Sequence, residues 1–168
     1  SWAHALKRTD GPTAIVLSRQ GLPTLRKDGA LKGYGDRGGY ILRPTDKDAR
    51  DVTLIATGSE VSLAVEAQAE LASDGIRAAV VSLPCWEVFD QQPKAYRAQV
   101  LGSAPCIGIE AAGELGWHKY IGKEGAFVGM PGFGASGPAP DLFEYFGLTP
   151  THIANTAKAL LKQTKGTS

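Results

Sequence analysis

Four glutamates follow apolar segments that have the character of β-strands. These glutamates are Glu60, Glu87, Glu110 and Glu114. Because the carboxyl ends of parallel strands meet at one edge of a sheet, the four carboxylates could lie near one another. Paired carboxylates can act as acid and base or bind a hard cation. No histidine or lysine accompanies them at a telling spacing, which favours a structural role.

Two glycine-containing turns precede predicted helices. Residues 132–137, Gly-Phe-Gly-Ala-Ser-Gly, match the G-x-G-x-x-G pattern of dinucleotide-binding folds. That function also needs a following strand and an acidic residue about 20 positions on, whereas no Asp or Glu occurs after residue 146. A structural turn is therefore favoured, although a helix N-terminus can hold an anion. Residues 57–60, Thr-Gly-Ser-Glu, are interpreted as a tight turn in which Ser59 caps the next helix.

Ser18-Arg19-Gln20 stands just beyond the apolar run at residues 13–17. The arginine fork of donors suits the oxygens of a phosphate group. From the residues alone, a phosphate-binding arginine and an ordinary loop arginine remain alternatives. The histidines, His4, His118 and His152, are scattered, and no Ser-His-Asp set or G-x-S-x-G elbow is present.

The composition is that of one ordinary globular domain. The chain has 168 residues, of which 43% are hydrophobic and 21% charged, enough to build a core. Its 18 basic and 17 acidic residues give no support for nucleic acid or an anionic membrane as a partner, and no stretch approaches the ~20 apolar residues of a membrane span. Cys85 and Cys106 stand alone beside apolar runs, which predicts buried free thiols and a reducing, cytoplasmic setting.

The pattern of elements predicts an α/β fold. Residues 2–8 have helical character, residues 13–17 are predicted to form a strand, and an irregular, charged and glycine-rich stretch follows up to residue 37. Strands are then predicted at residues 39–43, 52–57, 78–83, 106–110 and 126–128, and helices at 60–73, 93–101, 114–120, 141–146 and 151–161. Alternation of apolar strands with helices predicts a three-layer sandwich around a mainly parallel, mixed sheet.

Motifs along nearly the whole chain resemble those of the transketolase family. They are Asp-Gly-Pro-Thr-Ala-Ile-Val-Leu-Ser-Arg-Gln at residues 10–20, Gly-Gly-Tyr at 38–40, Ile-Ala-Thr-Gly-Ser-Glu-Val at 55–61, Val-Ser-Leu-Pro at 81–84, Gly-Trp-His-Lys-Tyr at 116–120 and Phe-Gly-Ala-Ser-Gly-Pro-Ala-Pro at 133–140. Deoxyxylulose phosphate synthases and dehydrogenase E1 subunits share the domain type but not this combination. The resemblance implies that residues 1–24 end the middle, pyrimidine-binding domain, that residues 25–38 are a linker, and that residues 39–168 form the C-terminal domain.

The resemblance also implies a function for the intact enzyme. Transketolases transfer a two-carbon ketol unit between sugar phosphates in the pentose phosphate pathway, as homodimers that use thiamine diphosphate and a divalent metal, Mg or Ca. The N-terminal and middle domains hold these cofactors, so this chain alone is predicted to bind neither and to be inactive. The arginine of the family's Ser-Arg-Gln motif contacts the phosphate of the sugar, and by motif it is Arg19.

Two other classes of function are left open by the residues. One is a stand-alone α/β module that binds a small anion at residues 58–60 or 132–137. The other is an oligomerisation domain, which would show a large apolar face and self-association without a ligand.

Overall fold

Three strands in which every residue is buried form the centre of the sheet. They are β2 (Val52–Ala56), β3 (Ala78–Ser82) and β4 (Cys106–Ile109), and the partly exposed β1 (Tyr40–Arg43) and β5 (Ala126–Val128) lie at the edges. The computed structural model describes residues 2–26, 35–45 and 49–166. The strand order is β1-β3-β2-β4-β5, with β1 antiparallel to β3 and every other pair parallel. The prediction of a mainly parallel, mixed sheet is confirmed.

Helices cover both faces of this sheet. They are α2 (Glu60–Ser73), α3 (Trp86–Asp90), α4 (Lys94–Leu101), α5 (His118–Ile121), α6 (Ala139–Tyr145) and α7 (Pro150–Gly166), and a 3-10 turn spans Gly35–Arg37. A further helix, α1 (Trp2–Lys7), contributes no residue to either face. Alternate side chains of each central strand point to opposite faces, so Leu54 packs with α2 and α7, while Ile55 packs with α3, α4 and α5. Each face of the sheet thus has its own hydrophobic core beneath a layer of helices, which confirms the predicted three-layer architecture. No helix in the described part of the chain is long and apolar enough to cross a membrane.

Helix α2 shows how its ends are set by single residues. Gly75, at a φ of 74°, adopts the left-handed conformation that ends many helices. The N–H of Gly75 donates to the carbonyl of Ala72 at 3.0 Å, and that of Ile76 to Leu71 at 2.9 Å. The predicted cap at the other end is wrong in its chemistry. Ser59 occupies the N-cap position, but its hydroxyl makes no capping bond and donates instead to the carboxylate of Glu60.

The strand predicted at residues 13–17 is wrong. Residues 12–18 join no sheet, and Val16 and Leu17 are 93% and 76% exposed. A strand needs a neighbouring strand to pair with its backbone N–H and C=O groups. The edge strands of the described sheet, β1 and β5, do not pair with residues 13–17. Helix α1 confirms the helical prediction for residues 2–8, yet none of its residues is buried.

Two short helices differ from the sequence expectation. Helix α3 was not predicted, because five residues give too short a pattern to separate from a loop. Helix α5 begins at His118 instead of residue 114, after a turn. Both cysteines are free thiols, as predicted, but Cys85 is only half-buried, whereas Cys106 is buried.

Candidate functional site

The turns that follow β2 and β4 lie side by side at the carboxyl edge of the sheet. Strand β2 pairs with β3 on one side and with β4 on the other. The chain therefore leaves β2 towards β3 and leaves β4 in the opposite direction, towards β5. Open α/β sheets bind ligands outside the carboxyl ends of their strands at such a point of divergence.

Glu60 lies at this point and is buried. It is 4% exposed, and its carboxylate accepts hydrogen bonds from the Ser59 hydroxyl and, at 3.2 Å, from the N–H of Ala111. Desolvation by burial raises the pKa of Glu60, the two hydrogen bonds oppose that shift, and the nearby carboxylate of Glu110 adds to it. The turn itself requires Gly58, whose φ is 58°.

Glu110 binds a tryptophan. Its carboxylate accepts a hydrogen bond of 2.7 Å from the indole N–H of Trp117, which is 0% exposed. Gly108 makes room for the indole, since a Cβ there would lie 2.6 Å from a Trp117 ring carbon. A buried indole needs an acceptor for its N–H. Glu110 supplies that acceptor, so its role here is structural and not catalytic.

The other two glutamates make separate contacts at the surface. Glu87 is exposed and accepts a weak S–H contact from Cys85 at 3.6 Å. Glu114 is exposed, and its carboxylate lies 3.4 Å from Nε2 of His118, four residues further on. The structure therefore brings Glu60 and Glu110 together but does not assemble the four carboxylates. Among residues 2–26, 35–45 and 49–166, no three His, Cys, Asp or Glu side chains could hold a metal ion.

Residues 132–137 form an exposed loop, in agreement with the structural interpretation. Phe133 is fully exposed, and the loop leads into α6, after which the next element is helix α7 and not the strand that a dinucleotide site requires. A cleft of about 440 Å³ lies beside it, between the loops that follow β4 and β5. It is lined by Gly113, Glu114, Phe127, Gly129, Met130, Pro131 and Gly132.

Arg19 lies outside the sheet, in an irregular segment that also holds Ser18 and Gln20. All three residues are exposed. Within the described residues, the Arg19 guanidinium makes no hydrogen bond or ion pair, so its donors face solvent. His4 and His152 are likewise exposed.

A further acid, Asp90, carries no motif in the sequence. Its carboxylate accepts hydrogen bonds from Lys119 and, at 3.2 Å, from the hydroxyl of Tyr120, which joins α3 to α5. Burial, together with the charge of Asp90, raises the pKa of Tyr120. No spacing in the sequence indicates this contact, because 30 residues separate Asp90 from Tyr120.

The fold defines the class of the chain: an α/β domain with a five-stranded, mainly parallel mixed sheet between layers of helices. The family model of the transketolase-like TK C-terminal domain matches residues 38–149. The chain belongs to the transketolase family.

Relatives with curated names and solved structures agree with that assignment. The transketolase of Sinorhizobium medicae is 51% identical over 163 residues, covering 96% of this chain and 23% of the relative. A Pichia stipitis transketolase in complex with sedoheptulose 7-phosphate superposes with a TM-score of 0.71 at 42% identity, covering 77% of this chain and 19% of that one. A split-gene transketolase in an inactive β4 tetramer shares the fold, with a TM-score of 0.69 at 20% identity, covering 86% of this chain and 48% of that one. The chain thus spans about a quarter of the curated relatives that it matches.

Proposed function

We propose that this chain is the C-terminal part of an enzyme that transfers a two-carbon ketol unit from a ketose phosphate to an aldose phosphate. The observation that carries the proposal is the 51% identity to a named transketolase across 96% of the chain. The substrate class is supported by the Pichia stipitis relative, which was solved with sedoheptulose 7-phosphate. In the cell this reaction would serve the pentose phosphate pathway in the cytoplasm.

The cofactors, thiamine diphosphate and Mg or Ca, would be held by other parts of the enzyme. The described residues do not fit them, because no group of acids and histidines in these ranges could hold the metal that accompanies the diphosphate. We therefore expect the isolated chain to be inactive and to give no heat of binding with thiamine diphosphate and Mg²⁺. Saturable calorimetric binding to the chain alone would contradict this division of labour.

The division of the chain follows the same proposal. Residues 1–24 would complete a preceding domain, residues 25–38 would link it, and residues 39–168 would form the C-terminal domain. Exposed apolar side chains support this division, since Trp2, Leu6, Val16 and Leu17 are each at least 69% exposed. We infer that these side chains pack against the rest of the enzyme, because folding normally removes large apolar side chains from water. We expect the intact polypeptide to be a homodimer by light scattering.

Arg19 is the residue of this chain that we assign to the substrate. Its guanidinium is exposed and has no partner within the described residues, and its fork of N–H donors matches the oxygens of a sugar phosphate. Remote phosphate binding also orients the reacting carbonyl group, so it contributes to the rate as well as to affinity.

Steady-state kinetics of the intact polypeptide test this role. A charged hydrogen bond contributes ~1.5–3 kcal/mol, so Arg19→Ala should lower kcat/KM for a phosphorylated donor roughly ten- to a hundredfold. Arg19→Lys keeps the charge but loses the fork and should recover only part of that loss. Gln20→Ala, at the neighbouring exposed position, is the matched control. Unchanged kcat/KM in Arg19→Ala would refute the assignment.

A further inference from the structure

Glu60 is a buried acid without a cationic partner in the described part of the chain. It is 4% exposed, and its carboxylate is satisfied by the Ser59 hydroxyl and the Ala111 N–H. Burying a carboxylate is costly unless hydrogen bonds compensate for the lost water. The bond to Ala111 is the long-range one, because it joins the first residue of α2 to the loop after β4, which is 51 positions away.

That loop is itself bonded to the loop after β5. The carbonyl of Ala112 accepts a hydrogen bond of 2.9 Å from the N–H of Met130. The two backbones are also in close contact, since a Cβ on Gly129 would lie 2.6 Å from the Ala112 oxygen. Movement of one loop must therefore disturb the other.

We propose that Glu60 is a positioning residue that fixes both loops at the carboxyl edge of the sheet through one relay of hydrogen bonds. The relay runs from the Glu60 carboxylate to the N–H of Ala111, and then from the carbonyl of Ala112 to the N–H of Met130. The two loops form the walls of the cleft of about 440 Å³ described above. Because these loops are its walls, the relay sets the shape of the cleft. The cleft lies at the edge where open α/β sheets bind ligands.

The relay depends on the reach of the side chain and not on its charge. Glutamine has the same length as glutamate, and its amide oxygen can still accept the Ala111 N–H. Aspartate keeps the charge but is shorter by one methylene group, so it cannot span the same distance from α2. This contrast separates positioning from an electrostatic role, in which aspartate would be the better substitute.

Hydrogen exchange of the chain, followed amide by amide by NMR, tests the relay. Glu60→Ala and Glu60→Asp remove the hydrogen bond from the Ala111 N–H to the Glu60 carboxylate. Its loss should speed exchange of the Ala111 and Met130 amides by roughly tenfold or more. Both amides should keep near wild-type protection in Glu60→Gln. Glu66→Ala is the matched control, because it removes an exposed carboxylate from the same helix, and both amides should exchange as in the wild type.

Three results would overturn the proposal. The first is wild-type protection of both amides in folded Glu60→Asp. This variant also provides the test if Glu60→Ala fails to fold. The second is faster exchange at Ala111 with none at Met130, which would leave the second loop independent of Glu60. The third is faster exchange in Glu60→Gln than in Glu60→Asp, which would make charge, and not reach, the determinant.

Discussion

Replacing Gly108 by alanine should destabilise the fold through Trp117. The new Cβ would lie 2.6 Å from one carbon of the indole and 3.0 Å from a second carbon and from the ring of Phe127, whereas ordinary contacts begin at 3.4 Å. The indole must move by nearly an ångström, yet it is fully buried and bonded to Glu110 at 2.7 Å. Other rings also crowd the indole, since the ring centroids of Trp86 and Phe127 lie 5.3 and 5.6 Å from its own.

The magnitude follows from three contributions. Overpacking a core costs about 1–3 kcal/mol, and loss of a hydrogen bond to a charged acceptor costs about 1.5–3 kcal/mol. Removing a flexible glycine from a strand returns about 0.5–1 kcal/mol. The expected net loss is about 1.5–5.5 kcal/mol, which for a chain of this size lowers Tm by roughly 3–20 °C.

Urea unfolding followed by far-UV circular dichroism measures this loss. Gly132→Ala is the matched control, because a Cβ at that glycine meets nothing within 4 Å, and it should change stability by less than about 0.5 kcal/mol. Equal midpoints for Gly108→Ala and Gly132→Ala would refute the role given to the Trp117 contact.

Three further predictions concern a linker glycine, a buried acid and the thiols. Gly38→Ala should cost more than about 2 kcal/mol in urea unfolding, because Gly38 has a φ of 75° and its Cβ would lie 2.3 Å from a backbone nitrogen of α3; Gly35→Ala, in open space, should be neutral. Burial raises the pKa of Glu60 above 4.5, so its contribution to stability is full below that pH and is lost as pH rises through the folded pKa. Glu60→Gln, which resembles the protonated acid, should therefore gain stability relative to the wild type between pH 4 and pH 8; a pH-independent difference would count against this. Cys85 should react with a thiol reagent well before Cys106, whose thiol is buried and has a raised pKa, and simultaneous labelling of the folded chain would contradict this order.

The architecture could be predicted from sequence because its signals are local. The fully apolar strands β2, β3 and β4 and the 14 residues of α2 between two turn signals are strong patterns. The strand expected at residues 13–17 failed because pairing is a tertiary event that an apolar run alone does not guarantee. Helix α3 was missed because its five residues are held by contacts with distant elements.

The site was predictable in position and not in chemistry. Strand ends placed Glu60 and Glu110 at one edge, and the structure confirms that they lie near each other. Their partners, the N–H of Ala111 and the indole of Trp117, come from tertiary packing that no spacing reveals. The motif containing Arg19 can suggest a ligand for that residue, but its exposed position leaves the role a prediction.

Transfer of isotopic label tests the central claim most directly. The polypeptide that contains this chain would be incubated with thiamine diphosphate, Mg²⁺, an aldose phosphate acceptor and sedoheptulose 7-phosphate labelled with ¹³C at C1 and C2. The proposed function predicts that both labelled carbons move together onto the acceptor, giving a ketose longer by two carbons. A folded, cofactor-bound polypeptide that leaves the label on the donor would contradict it.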